Sequence, residues 1–205
     1  DKWIDYFNLY KTIPEFSEQN YNMTLNEFKV IFWWEWGHRQ LGRLIGLCVL
    51  LPLIFFSIKN GLWILKKYGL IFLLVCFQGF IGWYMVSSGL IDRVDVSHYR
   101  LSLHLVTAFI ILSVVFWKFL KLTKLQAYYL SININLIKFF LFLLFLQLII
   151  GAFVSGMDAG KIYNTWPLMG SSYFPDDSKF IEFLYINVFD NPSIVQFIHR
   201  NLAYL

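Results

Sequence analysis

Nine ionisable residues stand where a mostly apolar chain could do chemistry: Glu35, four histidines and four arginines. Glu35 and His38 are three residues apart in FWWEWGHRQLGRLIG (32–46), so they share one face of a helix, and Gly42 and Gly46 continue that face one and two turns further in. Small residues below a histidine leave a flat slot, which a planar macrocycle ligated by His38 would need; close helix packing would use the same residues. His104, in YRLSLHL (99–105), lies about a turn and a half inside another apolar segment, at a depth compatible with His38. Imidazoles from two facing helices form the bis-histidine haem site of membrane bundles, with iron between them. His98 is six residues from His104, points to a different face and is the weaker candidate. Arg39, Arg43, Arg100 and Arg200 lie near the ends of the same segments, where a guanidinium fork suits the propionates of a tetrapyrrole. Snorkelling to lipid headgroups is the competing use of each.

The elements that must position these residues are membrane helices. The chain is 58% hydrophobic and 15% charged, with a mean hydropathy of +0.57, far from the balance of a soluble domain. A bilayer core needs about 20 helical residues per span. Segments 35–58, 70–86, 99–120 and 136–155 meet that length, and a fifth begins near Val195. The fold class expected is an all-α membrane protein, a transmembrane helical bundle with about five spans here. The opening lacks a methionine and is polar, so it reads as an internal stretch of a longer protein.

Charge placement predicts the topology. Lys59, Lys66 and Lys67 follow the first span, and Lys118, Lys121, Lys124 and Lys138 surround the link after the third; these links are expected on the cytoplasmic or matrix side. Asp92, Asp95, Asp158, Asp176, Asp177, Glu182 and Asp190 occupy the opposite loops, so all four histidines are expected on the outer side. The net charge of +4 is then an orientation signal, and no nucleic-acid partner is indicated. Cys48 and Cys76 fall inside apolar spans, which argues against a structural disulfide.

Three regions follow. Residues 1–34 read as an outer loop whose amphipathic end opens with a Thr24 to Glu27 capping box. Residues 35–125 hold the first group of spans, and 126–205 begin a second, with a folded outer loop at 156–193. Two short repeats connect the groups: HRQLG at 38 with HRNLA at 199, and QGFIG at 78 with QLIIG at 147. The first repeat makes the fifth span the counterpart of the first, in two parallel bundles; the second is short enough to arise by chance.

NMTLNEFKVIFWWEWGHRQLGRLIGLCVLLP (22–52), QGFIGWYMVSSGL (78–90), VSHYRLSLHL (96–105), GAFVSGMDAGKIYNTWPLMG (151–170) and NPSIVQFIHR (191–200) together resemble the haem A synthase family, in its mitochondrial and alphaproteobacterial branch. The resemblance is collinear over nearly the whole chain. It implies eight spans in tandem four-helix bundles and oxidation of a ring methyl of haem O, through a hydroxymethyl stage, to the formyl group of haem A for cytochrome c oxidase. It also implies that His38 and His104 hold the substrate haem, that His199 is one of two ligands of a resident haem b, and that Glu35 is the family's glutamate beside the first histidine. The outer-loop cysteine pair of some members is absent. The second ligand of the resident haem would lie beyond Leu205, so this stretch alone is expected to be inactive.

Glu35, one turn from His38, is positioned to orient or deprotonate a water, or to stabilise positive charge at the oxidised methyl. An ion pair with Arg39 or Arg43 is the alternative. Trp33, Trp34 and Trp36 read as an interfacial belt. The implied setting is the bacterial inner membrane or the mitochondrial inner membrane, with haem O, haem O synthase, cytochrome c oxidase assembly factors and a further copy of the chain as candidate partners. A bis-histidine b-type cytochrome working with quinone, or a haem carrier, would use the same histidines without needing Glu35.

Overall fold

The first long helix starts where its capping residues place it. The Thr24 hydroxyl accepts the Glu27 N–H at 3.4 Å and the Glu27 carboxylate accepts the Thr24 N–H at 2.8 Å, so two otherwise unpaired donors are satisfied together. In the computed structural model, which describes residues 2–87, 94–123, 133–185 and 187–205, this helix, α3, runs unbroken from Leu25 to Asn60. At 1.5 Å per residue it is about 54 Å long, so its first turns extend beyond a core of about 30 Å. Before it come α1 (Lys2–Tyr10) and α2 (Pro14–Glu18); after it come α4 (Trp63–Ser87), α5 (His98–Thr123), α6 (Ile134–Gly156) and α7 (Pro192–Ala203). Three 3-10 turns, at Ala159–Lys161, Phe180–Leu184 and Val188–Asp190, shape the segment between α6 and α7. No strand occurs among the described residues. The helices α3 to α6 are each long and apolar enough to cross a membrane. They coincide with the four expected spans to within a few residues, apart from the extensions of α3 back to Leu25 and of α4 back to Trp63. Asp92, Lys124 and the expected boundary at 125/126 lie outside the described residues.

The chain divides into two compact units, 1–95 with 110–119, and 96–109 with 120–205. In the first, α3 and α4 are neighbours joined at Gly61. Gly61 has φ +99°, a conformation that favours glycine, and its N–H donates to the Ser57 carbonyl at 3.0 Å to close the helix. The N-terminal segment packs its aromatics on the start of α3: Phe7 and Tyr10 lie 5.3 and 5.1 Å from Phe28, and Trp3 meets Phe32 edge-on at 5.1 Å. Tyr10 donates to Glu15 and accepts from Asn20, and burial pushes its hydroxyl up to about 12. The start of the segment expected over 1–34 therefore folds into two short helices whose aromatic side covers α3, and its amphipathic end, from Leu25 on, is the first turns of α3 itself.

In the second unit Ile150, Phe153 and Val195 are buried together, with Ile198 and Leu202 of α7 against them. The first turns of α5 close on α6. Ser102 is buried and donates to the Ile149 carbonyl at 3.4 Å, and a Cβ on Gly156 would stand 3.0 Å from both Cα and Cβ of His98. Backbone cannot yield as a flexible side chain can. Gly156→Val is expected to cost about 1–3 kcal/mol, read as a lower melting temperature of the detergent-solubilised complete protein. Gly160→Ala is the control, because its Cβ would meet Val154 at an ordinary 3.7 Å. Equal melting temperatures for the two would refute the close contact.

Candidate functional site

The second unit builds its site from α6, α7 and the loop between them. Asn191 caps α7, its side chain accepting the N–H groups of Ser193 at 3.0 Å and Ile194 at 3.2 Å, and Pro192 fits the first turn. His199 follows two turns later. Its Nε2 lies 3.3 Å from the Gln147 amide nitrogen, which also donates to the His199 carbonyl at 3.3 Å. A Cβ on Gly151 would come within 3.1 Å of the ring's Cε1. On the other edge Nδ1 is buried and has no protein partner. Arg200 turns both terminal nitrogens toward the loop, donating to the Tyr163 carbonyl at 2.6 Å and the Thr165 carbonyl at 2.9 Å. Gln196 adds a third donor, to Tyr163 at 2.9 Å.

Two adjacent carboxylates hold the loop itself. Asp176 accepts from the Ser171 N–H, the Ser171 hydroxyl at 3.0 Å and the Ser172 hydroxyl at 3.1 Å; the Ser171 N–H is the chief reason its carboxyl lies below its ordinary range. Gly170, at φ +91°, passes so close to Asp176 that no Cβ would fit. Desolvation raises the Asp177 carboxyl, but hydrogen bonds led by Ser193, at 2.7 Å, outweigh it and leave it below its ordinary range. A carboxyl lowered by folding contributes stability that is present above its unfolded value and is lost as pH falls through the folded one. Hydrogen exchange over residues 170–178 should thus be constant from about pH 5 upward and accelerate, relative to the intrinsic rate, in stronger acid. Asp177→Asn should reduce that acid response; an unaltered profile would refute the assignment.

His98 has a structural position. Its Nε2 is 3.3 Å from Asp190 Oδ1, which also accepts the Tyr99 hydroxyl at 2.9 Å, and its ring lies 5.1 Å from Phe153, edge-on. His104 is half-buried and about 200° round α5 from Ser102, so it lies on the side away from the α6 contact. Arg100, half-buried, stands one turn before it. The two α5 histidines thus occupy different faces, as their spacing implied.

In the first unit His38 is exposed, and a Cβ on Gly42 or Gly46 would meet nothing within 4 Å, so the face inward of His38 is open. Glu35 is also exposed and pairs with Arg39 at 3.5 Å. Arg43 is exposed, as are Trp33, Trp34 and Trp36. His38 belongs to the first unit and His104 to the second. Cys48 and Cys76 are free. No cluster of three metal-binding side chains occurs among the described residues.

The family described as cytochrome oxidase assembly protein matches residues 1–205. The chain belongs to that family. A heme A synthase of Pelagibacter ubique is 51% identical over the whole chain, which covers 62% of that relative. Relatives of the same name from Maricaulis maris and Rhodopseudomonas palustris strain BisB18 are 46% and 44% identical over 99% and 100% of the chain, covering 60% and 58% of their lengths. The chain therefore spans about three fifths of these relatives. No solved structure matches it.

Within this cytochrome oxidase assembly family chain, residue-type reasoning singled out the histidines and arginines and passed over their neighbours. Gln196, Asn191 and Tyr163 give no signal in one dimension, because their partners are loop carbonyls and capped amides. Gln147 did give one, in the Gln-x-x-x-Gly match with Gln78.

Proposed function

We propose that the complete protein is a haem A synthase, an oxidoreductase of the inner membrane that converts a ring methyl of haem O to the formyl group of haem A in the assembly of cytochrome c oxidase. Family membership over the whole chain carries this reading, and the names of relatives above 40% identity support it. His199 fits an axial ligand of a resident haem b: one ring nitrogen faces the Gln147 amide, the other is buried without a protein partner, and the ring rests on Gly151, where no Cβ intrudes. When bound, that haem supplies one-electron redox chemistry. Arg200 holds the 163–165 carbonyls beside it and shapes the rim of the site.

His38 and His104 are the proposed ligands of the substrate haem, with Arg39, Arg43 and Arg100 available to its propionates. The open face of Gly42 and Gly46 supports a planar ligand on α3. Glu35 is the proposed catalytic carboxylate, holding or removing a proton of a water near the reacting methyl. The lysine-bearing links and acidic loops support an outward-facing site. Haem O synthase and oxidase assembly factors are the proposed partners of the outer loops.

The alternative reading is a b-type electron-transfer cytochrome, in which the Glu35 carboxylate would serve only its pair with Arg39. The test is to express the complete protein, extract its pigment and identify each haem by chromatography and mass. Haem A or its hydroxymethyl precursor beside haem b is expected; haem b alone when haem O is supplied would establish the cytochrome.

A further inference from the structure

In the first unit, the ends of the helices away from His38 gather cations without acids. The sequence has no carboxylate between Glu35 and Asp92 or between Asp95 and Asp158, so the stretches that carry Lys67 and Lys118 offer them no counter-charge. Two lysines from different helices nevertheless meet. Lys67 Nζ, on α4, lies 5.3 Å from the centroid of the Tyr68 ring, and Lys118 Nζ, on α5, lies 5.7 Å from the same centroid. Neither forms a salt bridge among the described residues. An aromatic ring attracts a cation without neutralising it, so both charges remain available to an anion. Tyr68 and Phe72 are one turn apart and share a face of α4. Phe72 closes a groove of about 290 Å³ between α3 and α4, whose other walls include Leu50, Leu53, Ile54 and Ser57 of α3 and Leu65 of α4. The one hydroxyl on those walls, Ser57 Oγ, is buried and has no hydrogen-bond partner.

We propose that Lys67, Tyr68 and Lys118, with the groove between α3 and α4, form a site for one anionic phospholipid of the leaflet that the lysine-bearing links face. Its phosphate lies between the two ammonium groups, an ester oxygen accepts from Ser57, and an acyl chain fills the groove. The order of groups along the helices matches such an amphiphile. Ser57, Lys67, Tyr68 and Lys118 all stand within about 8 Å of the ends of their helices, whereas Leu50 and Phe72 lie about 15 Å in. Lysines that merely snorkel to headgroups need neither a shared ring nor a groove beside it, and the asymmetry of charge that orients the chain does not require lysines of two helices to meet. A soluble phosphate would satisfy the cations and leave the groove unused. The site does not depend on the haem reading, since it lies about 30 Å along α3 from His38 and uses none of the proposed ligands.

The test uses the complete protein, stripped of lipid in detergent, with gel filtration to confirm that each variant is monodisperse. The probe is phosphatidylglycerol with a photoactivatable acyl chain, and the comparison is phosphatidylcholine with the same chains. Phosphatidylglycerol should label peptides within residues 50–72, about fivefold or more above phosphatidylcholine. Replacing Lys67→Gln and Lys118→Gln together should lower that labelling about tenfold. Replacing Lys59→Gln and Lys66→Gln removes the same charge; Lys59 lies over Phe55, outside the groove, and the loss should be about twofold at most. Equal losses in the two double variants would assign the attraction to the basic surface as a whole and overturn the site. Absence of label from 50–72 in the unmodified protein would show the groove covered by another part of the complete chain, and overturn it as well. Competition by glycerol phosphate as effective as by unlabelled phosphatidylglycerol would make the ligand a soluble phosphate and overturn the lipid. Ser57→Ala should weaken labelling about threefold; an unchanged signal would overturn the ester contact.

Discussion

His199→Ala in the complete protein is expected to abolish binding of the resident haem b while leaving the supply of haem O to the other site intact. The imidazole is the proposed iron ligand in a pocket whose remaining groups, the Gln147 amide and the Gly151 backbone, cannot replace it. Removing an outer partner of a metal ligand costs roughly 10–100-fold in affinity, so removing the ligand should exceed about 100-fold. Stability should fall with occupancy, since a ligand held at about 100 times its Kd stabilises by about 2.7 kcal/mol. The checks are the ratio of haem b to protein and the melting temperature. Full haem b content in this variant would remove His199 from the site and leave Arg200 and Gln196 as purely structural supports of the loop.

Glu35→Ala should reduce formation of haem A and of its hydroxymethyl precursor by about 100-fold or more with both haems still bound, in line with the loss of a positioned acid–base group. The Arg39 pair makes the outcome decisive. Both side chains of that pair are more than half exposed, and exposed i,i+4 pairs contribute about 0.3–0.5 kcal/mol. Loss of so small a term cannot empty a haem site. If Glu35→Ala lowers haem occupancy and activity together, the carboxylate is structural; if it lowers neither, the Arg39 pair is its whole use. Glu35→Gln separates charge from size, and is expected to resemble Glu35→Ala.

The spans and the start of α3 were legible because they rest on local quantities. Apolar runs of span length and the Thr24 to Glu27 box each lie within one helix, and both reappear in the structure. The different faces of His98 and His104 were legible for the same reason, since 3.6 residues per turn sets the angle between them. The fate of individual polar groups was not. Arg200 was read as a propionate partner from its type and place, yet its guanidinium lies on carbonyls 35 and 37 residues earlier in the chain. Glu35 was open between catalysis and an ion pair, and the structure pairs it with Arg39 without excluding either use.

Sequence alone therefore determined the solvent, the number and approximate place of the long helices, and the candidate residues at their ends, because transfer free energy and helical period act between near neighbours. Tertiary structure alone decided that Gln147 meets His199 across 52 residues, that His98 meets Asp190, and that Asp177 ties the loop to Ser193 at the start of α7. Those pairings depend on the rotation and register of one helix against another and on the path of a folded loop, which no local pattern encodes.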